Sequence, residues 1–96
     1  MSILLNFLRD SISLIEYINS LISQKEHLDL KKKDLNIQLQ CILEEIDNAL
    51  IRLDKERFME HVFAKNRIRH EIVSTGKRII KINHQLTILL KIYNTR

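Results

Sequence analysis

Apolar residues recur along this chain in steps of three and four, the spacing that lines them up as one stripe on an α-helix and as the seam of a coiled coil. Three series stand out. Leu5, Leu8, Ile12, Ile15 and Ile22 form the first, with Asn19 interrupting it. The second places Leu28, Leu35, Ile42 and Ala49 at d positions and Lys32, Leu39, Ile46 and Leu53 at a positions. The third runs through Ile68, Ile72, Thr75, Ile79, Ile82, Leu86, Leu89 and Tyr93 in strict alternation. Between the first two the phase slips, because Leu28 follows Ile22 after six residues rather than seven. Such a slip is either absorbed in a continuous helix or marks a loop near 23–27. From Leu53 to Ile68 the pattern breaks more fully.

These stretches predict an all-α chain, a single domain over residues 1–96. Helix is expected over about 2–52 and about 56–94, with a reversal between them. Asp54 can cap the second helix, and Glu56 then sits in its positively polarised first turn. At 1.5 Å per residue the helices would be roughly 75 and 58 Å long. The preferred architecture is an antiparallel helical hairpin. A three-helix bundle with a break near 23–27, or an oligomeric bundle, would bury more of the apolar surface that so short a chain must cover.

Charge favours the fold-back. Residues 1–53 hold six Lys/Arg against eight Asp/Glu, a balance of −2, whereas residues 54–96 hold ten against four, a balance of +6. Folding about residue 54 brings residue i near 108 − i. Glu44, Glu45 and Asp47 then approach Lys65, Arg67 and Arg69. Glu26 and Asp29 approach Lys77, Arg78 and Lys81, and Glu16 approaches Lys91. Each exposed pair contributes only about 0.2–1 kcal/mol, so the pairs select an orientation rather than hold the fold.

The seam leaves apolar residues over. In the C-terminal series Val73, Ile80, Ile88, Leu90 and Ile92 fall outside a and d, and a lone hairpin would expose several of them. Phe58, Met59, Val62 and Phe63 cluster just after the reversal, where they either close the end of the bundle or form a docking patch. Phe58, Met59, Val62, Phe63, Ile80, Ile88, Leu90 and Ile92 are therefore the candidate partner-binding residues. The partner is a second protein or a second copy.

Composition narrows the chemistry. With no Pro and one Gly, Gly76, the chain lacks the turns from which loop-built sites are made. The lone Cys41 cannot form an internal disulfide, which suits a reduced cytoplasmic protein. It falls at an outward c position with Glu44 and Glu45 nearby, and no nucleophilic role is expected of it. His27, His61, His70 and His84 include no i, i+4 pair, so neither a metal nor any other cofactor is expected. No basic residue precedes the apolar Met1–Leu5 start, so no leader is expected. No uncharged apolar run reaches the roughly 18 residues of a membrane span.

The C-terminal third is basic: residues 64–96 hold eight Lys/Arg and one acid, Glu71. Arg67, Lys77, Arg78, Lys81 and Lys91 are candidate contacts for an acidic partner or for nucleic-acid phosphates. No aromatic side chain interleaves with them, so nucleic-acid binding is the alternative rather than the leading expectation.

Two resemblances bear on function. Leu8-Arg9-Asp10 and Leu21-Ile22-Ser23-Gln24-Lys25 are faintly similar to the start of the all-helical chorismate mutases. That family binds a dicarboxylate with converging Arg and Lys side chains, of which only Arg9 and Lys25 find matches. The second lies in Ile42-Leu43-Glu44-Glu45-Ile46 and Ala64-Lys65-Asn66-Arg67-Ile68-Arg69-His70-Glu71-Ile72. From Ile42 onward the chain resembles the small coiled-coil stalk proteins and helical chaperones of flagellar and type III export systems. That resemblance implies an antiparallel hairpin seated in a hexameric export ATPase, or one that binds export substrates. The expected function is thus non-enzymatic protein–protein interaction, with a stalk or chaperone role in a type III export apparatus.

Overall fold

The computed structural model describes the backbone of residues 2–95 and the side chains of residues 12–95. Leu5, Leu8 and Arg9 of the sequence patterns, and the N-terminal Leu4 and Phe7 beside them, lie outside the described side chains.

Two helices make the fold. Helix α1 spans Ser2–Ile51 and α2 spans Lys55–Asn94, packed antiparallel in a rod measuring 77 × 16 × 14 Å. Helix α1 continues without interruption through residues 23–27, so the chain is a hairpin and not a three-helix bundle.

The reversal takes three residues. At the end of α1 the N–H of Asp54 donates to the carbonyl of Ala49 at 2.9 Å, and the N–H of Leu53 donates to that of Leu50 at 3.2 Å. These are the 6→1 and 5→2 bonds of a helix closed by a left-handed residue, a position Gly normally fills. Here it is Leu53, at φ 56°. Asp54 then caps α2 as the sequence predicts, accepting from the Arg57 N–H at 3.2 Å. Glu56 occupies the first turn, and Lys91 lies in the last.

The core is a single seam. Ile18, Leu21, Leu28, Leu35, Ile46 and Ala49 of α1 are buried against Ile68, Thr75, Ile79, Ile82 and Leu86 of α2. Leu14 and Leu89 pack on the cluster that Ile18, Leu21, Leu28, Ile79, Ile82 and Leu86 form. In α1 this seam reads Leu14, Ile18, Leu21, Lys25, Leu28, Lys32, Leu35, Leu39, Ile42, Ile46, Ala49, in one unbroken 3-4 phase.

That phase corrects the first series. Ile12, Ile15 and Ile22 are exposed, while Ile18 and Leu21, one step round the helix, are buried. The slip between Ile22 and Leu28 disappears, because the helix keeps its phase by placing Lys25 at the seam, where it is half-buried. A lysine stem covers apolar surface while its ammonium reaches water.

A second correction concerns α2. The break between Leu53 and Ile68 is filled by Phe58, His61 and Lys65, half-buried residues that carry the Ile68 phase back to the turn. Leu53, expected at an a position, instead points into solvent at the turn, 90% exposed.

Lys32 holds a seam position while its side chain stays exposed, with the ammonium lying over Gly76 of α2. A Cβ built on Gly76 would meet the Lys32 Nζ at 3.9 Å. The lysine therefore crosses α2 at its one side-chain-free residue.

Candidate protein-interaction site

Most apolar residues left out of the seam lie in two places, while Leu30 and Ile37 stand apart on the exposed outward face of α1. The first is the closed end of the hairpin. Leu53 there is joined by Ile51, 80% exposed, Phe63, 68% exposed, and the partly exposed Leu50 and Met59. Phe58 and Val62 of the predicted cluster are half-buried. Phe58 lies in the seam and helps line a hollow of about 220 Å³ with Ala49, Leu50, Leu53, Asp54 and Lys55. The predicted cluster therefore divides: Phe58 and Val62 close the bundle, and Met59 and Phe63 face outward.

Sequence reasoning missed Leu50, Ile51 and Leu53 at this end. Leu53 had been assigned to the seam, and the others were absorbed into a helix whose end residues carry no special signal. The pattern Ala49-Leu50-Ile51-Arg52-Leu53 ahead of the Asp54 cap holds more apolar residues than a 3-4 seam can bury, and that excess was the available clue.

The second place is the pair of flanks along the rod. Because the helices run in opposite directions, the e positions of both flank the same side of the seam, and the g positions flank the other. Ile15 and Leu90, both at e, line one hollow together with Ile18, Asn19 and Tyr93, which fixes this pairing in space. Ile80 and Leu90 thus lie on the e side, and Ile88 and Ile92 on the g side; all four are exposed. The four do not form one surface.

The predicted basic residues are all exposed. Arg67, Lys77, Lys81 and Lys91 share an outward stripe of α2 with His70 and His84, while Arg78 lies on its flank. The expected interhelical ion pairs do not close. Among the described residues no Lys or Arg of α2 lies within 4 Å of a carboxylate of α1. The contact that does cross is His61 Nε2 to Glu45 Oε2 at 3.9 Å, with Arg57 to Asp54 at 3.8 Å within the turn. Long exposed side chains gain too little from a fixed pair to offset the entropy of holding it.

Among the described residues no group of three His, Cys, Asp or Glu side chains could hold a metal ion, and no helix is long and apolar enough to cross a membrane. Cys41 is exposed on the g side. Comparison with protein-family models, with curated proteins and with solved structures yields no match to this chain.

Proposed function

We propose that this chain is a non-enzymatic, cytoplasmic protein-interaction module, a rigid hairpin that presents its closed end to a protein partner. The observation that carries the reading is the apolar end itself. Leu50, Ile51, Leu53, Met59 and Phe63 are exposed within about 14 Å of the turn, and one of them sits in a backbone conformation that costs a leucine roughly 1–2 kcal/mol. Exposed apolar clusters and strained residues concentrate where a protein docks. A stalk or chaperone in a type III export apparatus is the specific role proposed. Its support is the resemblance of residues 42–96 to such proteins, together with the antiparallel hairpin that resemblance implies.

Changing Ile51 and Phe63 to Ser tests the docking role, since both are exposed and neither is in the seam. Helicity measured by circular dichroism stays unchanged and capture of the partner is lost. Capture that survives the double change refutes the docking role. The stalk role predicts co-purification with the hexameric export ATPase, and failure to bind it removes that role while leaving tip docking standing.

The unpaired basic stripe supports a second reading, nucleic-acid binding through Arg67, Lys77, Arg78, Lys81 and Lys91. Phosphate contacts release counterions, so such binding weakens steeply between two salt concentrations in a mobility-shift assay. It disappears when Lys77, Arg78 and Lys81 become Glu. The absence of any shift at low salt rules it out.

A further inference from the structure

We infer that the e side of the hairpin is covered by a second copy of this chain, forming a two-fold four-helix bundle with the tips at opposite ends. The two sides of the rod differ in kind. Within the two helices from residue 12 to residue 94 the g side, with its c positions, carries nine charged side chains, and the e side, with its b positions, carries six. The e side instead displays Ile12, Ile15, Ile22, Val73, Ile80 and Leu90, drawn from both helices and all exposed. Ile12, Ile15 and Ile22 fall at seam-like spacing with Asn19 between them, so this end of α1 carries a second apolar stripe that α2 does not cover.

Size matches the occupant. From Ile12 to Leu50 this side runs about 57 Å. At the 16 Å width of the rod it offers on the order of 900 Å², against the roughly 800 Å² each partner contributes to a standard interface.

The side is also complementary to itself, as a two-fold interface requires. Its charges are Glu26, Asp29, Lys33 and Asp47 on α1 and Lys55 and Arg69 on α2. With tips opposed, α1 lies along α1 of the other copy about a midpoint near residue 31, so Asp29 of each copy comes level with Lys33 of the other. The same arrangement carries Met59 and Leu50 of one copy to the hollow of about 210 Å³ that Ile15, Ile18, Asn19, Leu90 and Tyr93 line in the other. A flexible thioether is well suited to filling such a gap.

Sedimentation equilibrium of the full chain tests the inference. The mass expected is twice the 11.5 kDa of the chain, falling to the single mass in Ile22→Glu with Ile80→Glu. Both residues are exposed in the hairpin, so helicity persists in that variant. Ile88→Glu, on the g side, leaves the doubled mass unchanged. A chain that stays monomeric throughout the micromolar range overturns the inference. So does a dimer that survives the Ile22/Ile80 change, which would place the contact in the seam of an opened hairpin, or a dimer lost in Ile88→Glu. Tip docking is scored separately, because the dimer leaves it Ile51, Leu53 and Phe63, and neither Ile22 nor Ile80 belongs to the closed end.

Discussion

Leu53→Gly should stabilise this protein, although it removes the larger side chain. Leu53 ends α1 at φ 56°, and a left-handed conformation costs a residue with a Cβ roughly 1–2 kcal/mol. Glycine relieves that cost. Against it stands the greater freedom of Gly in the unfolded chain, worth about 0.5–1 kcal/mol. Packing hardly enters, because the side chain is 90% exposed. The bonds from the Leu53 and Asp54 N–H groups to Leu50 and Ala49 need only backbone atoms, so they persist. The net gain is about 0.5–1 kcal/mol, which raises the melting temperature by about 2–8 °C in a chain of this size. Thermal denaturation followed by circular dichroism at one fixed protein concentration reads the shift. Leu53→Ala keeps the strain and serves as the control, with a melting temperature at or below that of the parent. If Gly lowers the melting temperature, or Gly and Ala behave alike, then Leu53 is not strained in solution and the turn is built differently. Should the gain appear together with weaker partner capture, the strained leucine is retained for docking.

Two further substitutions probe the packing. Gly76→Ala places a methyl in ordinary contact with the Lys32 ammonium inside a helix, so it should stabilise by about 0.5–1 kcal/mol in urea denaturation; a loss would mean that α1 lies closer to Gly76 than this contact allows. Leu28→Ala, at a site 3% exposed, should cost about 2–4 kcal/mol. Ile22→Ala, 40% exposed, should cost less than about 1 kcal/mol at a concentration where the chain is monomeric. The reverse order would restore the sequence-derived register of α1.

The hairpin was legible in the sequence because apolar spacing, the Asp54 cap and the division of charge all point to it. Leu28, Leu35, Ile46 and Ala49 of α1 and Ile68, Thr75, Ile79, Ile82 and Leu86 of α2 are buried where the periodicity puts them, while Leu39, Ile42 and Ile72 are half-buried and Lys32 is exposed. The N-terminal register was not legible. Two 3-4 series coexist there, Leu14-Ile18-Leu21 and Ile12-Ile15-Ile22, and periodicity alone ranks them equally. Continuity decides: the buried series runs into Leu28 through Lys25, so α1 keeps its backbone hydrogen bonds at the cost of one half-buried lysine. His61 and Lys65 concealed the start of the α2 seam in the same way. Polar residues with long stems can hold a seam position, and a search for apolar letters passes over them.

The candidate site was legible only in part. Met59, Phe63, Ile80, Ile88, Leu90 and Ile92 are exposed as a docking role requires, whereas Phe58 and Val62 are committed to the end of the bundle. Leu53 escaped because its exposure follows from the handedness of one residue at the turn, which no periodicity encodes. The interhelical ion pairs do not close because the three-residue turn alone makes the helices antiparallel, and no fixed charge pair is needed to orient them.

The central claim is that the hairpin works by docking its closed end on another protein. A photo-reactive phenylalanine at position 63 tests it most directly, with the same probe at Ser74 on the exposed outward face of α2 as the control. Irradiation in the native host should give a discrete adduct with one other protein from position 63 and none from position 74. No adduct from 63, or the same adducts from both positions, would contradict the claim.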